Sequence, residues 1–295
     1  MALTTPYVSA AAFKAHPTYL DTDGLNLGTD DPDAQTAELT NRLLAASEWA
    51  DDECDQPLGA HLWVQNERVF VGRDGRLKVH SDHGPIIQVV EVAYGFTPET
   101  MTTLSNPTVW TEQNNLIVPM GTNGTMAWSG SLQFGSVATG GDIYTQSTLV
   151  AGYAATVLDD GAEKNGTSVT VLDPTGITPG VRYRIWDPGA EESVIVDPAW
   201  TPPPPSPTPV PTSVDLLTPL RYDHEAGHDV SGMPASARLA IVQHTISQLM
   251  RPASTAEDEY PDNATSSTRS EDSRPKGMGL LTEARRTLAN YRRDR

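Results

Sequence analysis

The pentapeptide His224-Glu225-Ala226-Gly227-His228 has the residue types and spacing of a zinc-peptidase motif. Two histidines one helical turn apart can aim both rings at one metal, and the glutamate between them can activate a bound water. The surrounding sequence does not suit that chemistry. Gly227 falls inside the stretch that would have to be helical, and Asp229-Val230-Ser231-Gly232-Met233-Pro234 reads as a loop. Ser231 and Pro234 stand where the extended motif needs a glycine and a third histidine. The expectation is therefore no catalytic residue, no metal and no cofactor, with a zinc metallopeptidase through His224, Glu225 and His228 as the alternative.

Other residues could also carry chemistry. His80, Asp82 and His83 cluster before Gly84-Pro85 and read as a polar turn. Cys54 is the only cysteine, so no intrachain disulfide can form. It lies among Asp51, Asp52, Glu53 and Asp55, whose charges disfavour a thiolate, and reads as a packed core residue. No glycine-rich phosphate loop follows a strand, and there is no Gly-x-Ser-x-Gly elbow.

The charge is divided unevenly. The 295 residues carry a net −18, yet the stretch from Arg274 to Arg295 holds seven Lys+Arg against two Asp+Glu, a net of +5, which leaves −23 on residues 1–273. A body so acidic has no basic face for gripping phosphates, although it would let DNA slide past. With no charged-then-apolar leader and no apolar run near 18 residues, the sequence predicts a soluble chain made in a cytoplasm, without a membrane partner.

The elements expected to position these residues are mixed. A short helix over 7–16 is capped by Ser9 and buries Phe13. A long helix over 33–54 places Leu39, Leu43, Ala46, Ala50 and Cys54 on one stripe. From Leu62 the period becomes two, with strands at 62–64, 68–71, 77–80, 86–92, 109–110, 116–118, 131–134 and 142–150 and a hairpin turn at Arg73-Asp74-Gly75-Arg76. Residues 1–158 form the helix-plus-β body, and 159–197 read as an inserted small β module. Residues 198–219 are a proline-rich spacer, with Pro202 to Pro205 consecutive. Residues 220–251 return to the body, with a helix over 234–251 that buries Leu239, Val242, Ile246 and Leu249. Residues 252–279 are polar and read as a flexible linker. The fold class is α+β: a helical body, a small antiparallel β region, the inserted module and a detached C-terminal helix.

That last helix, 280–295, is amphipathic. Leu281, Ala284, Leu288 and Tyr291 fall at i, i+3, i+7 and i+10, flanked by Arg285, Arg286, Arg292 and Arg293. A helix of about 14 residues is marginal alone in water. Standing beyond a polar linker, it is expected to seat on a partner, and its removal is expected to leave the body folded.

The order of several motifs resembles the head-to-tail adaptor (connector) proteins of long-tailed bacteriophages, in particular those of phages of actinobacteria. The matching pieces are Tyr7-Val8-Ser9 with Phe13, the long helix ending Cys54-Asp-Gln-Pro-Leu-Gly59, and Arg73-Asp-Gly-Arg-Leu77 followed by Pro85. Val150-Ala-Gly-Tyr153, the stretch Gly166 to Gly180, Val230-Ser-Gly-Met-Pro234 and the closing Ala284, Leu288 and Tyr291-Arg-Arg293 follow in turn. The long proline run and the acidic linker depart from the pattern. The resemblance implies a non-enzymatic virion protein at the head-tail interface, present in the host cytoplasm during assembly. It implies a homo-oligomeric ring of twelve copies under the portal protein. The next neck or stopper protein would bind the other face, and DNA would pass through the lumen without specific binding. The docking residues would then be Leu281, Ala284, Arg285, Leu288, Tyr291, Arg292 and Arg293. A stopper or tail-terminator protein is the neighbouring alternative, and a carbohydrate-binding module a more distant one.

Overall fold

The computed structural model describes residues 3–17, 20, 22, 25, 28–70, 76–95, 97–104, 109–112, 114–119, 142–206, 208–250 and 278–293. The Arg73–Gly75 turn, the strand expected at 131–134 and nearly all of the 252–279 linker lie outside these residues.

The architecture is α+β with antiparallel sheets. The first helix, α1 (Ala10–Ala15), starts where the Ser9 side chain accepts from the Ala12 N–H at 3.2 Å. The long helix α2 (Pro32–Cys54) starts one residue earlier than the sequence suggested. Asp31 supplies the cap by accepting from Asp33 N–H, and Pro32 takes the first helical position, where a missing N–H costs nothing. The helix stops at Asp55, which turns left-handed at φ 55°.

Beyond α2 run β1 (His61–Phe70), β2 (Arg76–His80), β3 (Ile86–Gly95), β4 (Thr102–Thr103), β5 (Trp110–Glu112), β6 (Asn115–Pro119) and β7 (Asp142–Ala151). They form two sheets, ordered β1-β7-β3-β4 and β2-β6-β5. Val69, Val92, Tyr94, Ile143 and Leu149 of the first pack with Leu77, Val79, Leu116 and Val118 of the second. The strands expected at 62–64 and 68–71 are one strand. Gln65, between the two expected strands, is buried: its amide donates to His80 O at 2.6 Å and its oxygen accepts from Asp82 N–H at 2.9 Å.

The expected insert at 159–197 is part of a larger β unit. Its β9 (Ser168–Val171) pairs with β12 (Thr212–Asp215), and its β10 (Arg182–Trp186), paired on one side with β11 (Glu192–Ile195), pairs on the other with β13 (Asp229–Ser231), which in turn carries β8 (Ala155–Val157). Three short strands cannot close a core alone. Val214 and Leu216, within the expected 198–219 spacer, and Leu220 just beyond it are buried with Val169, Val171, Tyr183 and Ile185.

The last two helices, α3 (Ala235–Leu249) and α4 (Met278–Leu288, continued by a 3₁₀ turn Ala289–Tyr291), complete a helical core with α1 and α2. Phe13, Leu39, Leu43, Ala46, Cys54 and Val242 are buried in it, and Ile246 and Leu249 pack at its margin. Leu239 does not belong there: it is 42 % exposed. The buried stripe of α3 runs through Ala237, Ala240, Ile241, His244 and Thr245, close to the opposite side from Leu239. Its small and polar residues let neighbouring helices approach closely, so a search for large apolar residues finds Val242, Ile246 and Leu249 at its edge and adds Leu239 wrongly.

The C-terminal helix is not detached. Ala284 and Leu288 are fully buried against α2 and α3, and Leu288 O accepts from Cys54 Sγ at 3.7 Å. Its core is the body's own, reached across a long stretch of sequence.

Candidate functional site

The zinc-like pentapeptide is not helical. His224 sits in an antiparallel bridge with Ala162, and Gly227 takes φ 85°, a conformation open to glycine and incompatible with a continuing right-handed helix. The His224 ring is fully buried. Its Nδ1 lies 2.9 Å from Asp187 Oδ2 and its Nε2 2.9 Å from Glu192 Oε1, so neither nitrogen is left for a metal. His228 Nε2 lies 3.5 Å from Asp187 Oδ1, and Glu225 is exposed. Glu192 also accepts from the backbone N–H groups of Arg221 and Tyr222. The cluster ties the 187–192 turn to the 221–228 segment. Among the described residues, no group of three or more His, Cys, Asp or Glu side chains is placed to hold a metal ion.

A second cluster joins segments far apart in sequence at the C-terminal end of α2. The Tyr7 hydroxyl donates to the Asp51 carboxylate, 2.9 and 3.0 Å from its two oxygens, and accepts from Gly59 N–H at 2.9 Å. Leu58 N–H donates to the same carboxylate at 2.8 Å. Burial, opposed by those two donors, pushes Asp51 up to about 6. Burial and the neighbouring Asp51 charge push the Tyr7 phenol far above its usual range. Tyr153 closes the node, donating its N–H to Leu58 O and accepting from Ala60 N–H, both at 2.7 Å. Gly152 must be glycine: its φ is 103°, and a Cβ there would stand 2.3 Å from Gly59 O.

Three more segments reach this node. Gly152 N–H donates to Pro85 O, and Gly232 N–H to Ala154 O. Arg293 N–H donates to Cys54 O at 2.9 Å, and Gln56 bridges Tyr291 O to Gly84 N–H. Beside it, His83 Nδ1 lies 2.8 Å from His61 Nε2, with the Trp63 ring stacked at 3.9 Å. Burial, then the facing His61, lowers His83 to about 4, and burial also lowers His61. His80, grouped with His83 in the sequence, points elsewhere and meets Asn115. Burial, with Asp51 adding to it, pushes the Cys54 thiol up to about 12, which suits a packed residue and not a nucleophile.

The expected docking residues divide into two sets. Ala284 and Leu288 are buried, Leu281 is half-buried, and Tyr291 packs edge-on to Tyr153 while its hydroxyl lies 2.6 Å from Ser236 Oγ. Arg285 and Arg292 both reach Glu53 at 3.3 Å, and Arg293 reaches Asp82 at 2.8 Å. Arg286, which also flanks the stripe, is 82 % exposed at its side chain. The apolar stripe faces the body, and a cationic face points outward.

Sequence spacing gave no hint of the Tyr7–Asp51 bond, the His61–His83 pair or the buried Arg238–Asp229 ion pair. In that pair Arg238 Nη2 lies 2.5 Å from Asp229 Oδ2, Nη1 donates to Tyr7 O, and the guanidinium rests over the Trp186 ring. Asp229 also accepts from Ser9 N–H, so the N-terminus, β13 and α3 meet there.

No protein-family model matches this chain, and no curated protein matches it significantly. Among the described residues, no helix is long and apolar enough to cross a membrane.

Proposed function

We propose that this chain is a head-to-tail adaptor of a long-tailed bacteriophage, a structural virion protein rather than an enzyme. Twelve copies would ring the underside of the portal, join the capsid to the next neck protein and leave a channel for DNA. The reading is carried by one observation. Tyr7, Cys54–Gly59, Pro85, Val150–Tyr153, Val230–Pro234 and Tyr291–Arg293, which supply the resemblance, meet around the end of α2 through a connected set of hydrogen bonds. Motifs in a shared order can be coincidence, whereas mutual contact gives a physical reason to keep that order.

The charge supports the same reading. A strongly acidic ring wall repels phosphate and keeps DNA moving. With the apolar stripe of α4 turned inward, portal contact falls to its guanidinium face, Arg285, Arg286 and Arg292. Co-sedimentation with portal rings tests this: the full chain binds, and Arg286→Glu weakens binding while its circular dichroism and melting temperature stay at the parent's values. A stopper or tail-terminator role is the second reading, favoured by the thirteen strands among the described residues.

A further inference from the structure

We propose that the seat of α4 is shared between copies of this chain: the surface formed by α2 and α3 accepts the C-terminal helix of a second copy as it accepts its own. Exchange of the helix needs no portal, so it stands apart from the neck reading.

Connection length comes first. Packed helices are usually joined by about 2–8 residues. Between Met250, which follows α3, and Met278, which opens α4, there are 27 (residues 251–277). Fully extended, such a connection reaches up to about 90 Å. A domain of this size is on the order of 50 Å across. The same seat on an adjacent copy therefore lies within reach.

The contacts themselves are indifferent to which chain supplies the helix. Ala284 and Leu288 bury against α2 and α3, Arg285 and Arg292 meet Glu53, Arg293 meets Asp82, and Tyr291 meets Ser236 and Gln56. Each of these joins the helix to the body.

Charge supplies the reason for exchange. Two copies at −18 repel wherever acidic surfaces meet. The chain from Arg274 onward carries +5, and seating it on a neighbour sets cation against the acidic end of α2 across the boundary. Domain swapping is an inexpensive route to association because it reuses contacts the fold already makes. A connection of this length holds its own helix at an effective concentration of about millimolar, so exchange competes near that concentration or within an assembly.

The test uses full-length chains with the buried Cys54 left in place. Ser236→Cys and Tyr291→Cys chains, differing in mass, are unfolded together, refolded at about millimolar total concentration and treated with a short bis-maleimide. The double variant Ser236→Cys/Tyr291→Cys, treated when dilute, reports the helix on its own body as an internally linked monomer. Exchange predicts linked dimers in the mixture, joined between 236 of one mass and 291 of the other, above the level of either single variant alone. If the double variant links internally while the mixture gives no 236–291 dimer above that level, the seat is closed to other copies and the proposal fails.

Discussion

The Tyr7 hydroxyl donates to the Asp51 carboxylate at 2.9 Å across 44 residues of sequence, and that carboxylate also accepts from Leu58 N–H. The bond fixes the N-terminal segment to the last turn of α2 and sets the point from which the chain leaves for β1. It also places a carboxyl group where burial holds its proton up to about pH 6.

The sign of the resulting pH dependence follows directly. An acid whose folded pKa is raised binds more protons folded than unfolded between its two pKa values, here about 4 and about 6. Its contribution favours the native state below that window and is lost as pH rises through 6. Asp51→Asn removes the effect. Denaturant midpoints measured at intervals from pH 4 to 7 should then rise more steeply with pH in the variant than in the parent.

His83 works in the opposite direction. Its folded pKa is lowered to about 4, so the unfolded chain binds more protons between pH 4 and 6.5. Its contribution is fully present above 6.5 and falls away as pH drops toward 4. The parent protein should show a shallow profile between pH 4 and 6, where the two slopes oppose each other. His83→Gln should tilt the profile, relative to the parent, toward lower stability as pH rises through that range.

The seating of α4 reverses the expectation that the body folds without its C-terminus. Leu288 is fully buried, so Leu288→Ala should cost about 2–5 kcal/mol and Leu288→Asp more. Loss of residues 278–295 would uncover the core side of α2 and α3. Arg286→Glu, at an exposed site, should shift stability by less than about 0.5 kcal/mol. Urea midpoints of the three point variants give the ranking, and equal midpoints for Leu288→Asp and Arg286→Glu would contradict the seating.

The Arg238–Asp229 pair is buried on both sides. Removing one partner strands the other, so Arg238→Ala should destabilise by about 3–5 kcal/mol. Arg238→Ala with Asp229→Asn should recover part of that loss. A double-mutant cycle on denaturant unfolding checks it, and additive losses would show that the two side chains are not coupled.

The helix starts and the β period were legible in the sequence because they are local. Ser9 capping α1 acts within one turn, the start of α2 fell one residue from its expected place, and the strand over 86–92 is read from its own residues. What stayed hidden depends on distance. The stripe Leu281, Ala284, Leu288 was correctly apolar, but nothing in it names the surface that buries it. On α3 the core residues Val242, Ile246 and Leu249 were legible, while Ala237, Ala240 and Thr245 were missed because they are small or polar, and their value is close approach rather than apolar area. His224-x-x-x-His228 was legible as a motif and as one in the wrong context. Its real partners, Asp187 and Glu192, lie more than thirty residues away.

The most direct test of the adaptor reading is electron microscopy of the purified chain mixed with portal rings of the same phage. The account predicts a ring of added density under each portal, with one copy of this chain for each of twelve portal subunits. Portal rings that remain bare in the presence of excess folded chain would contradict it.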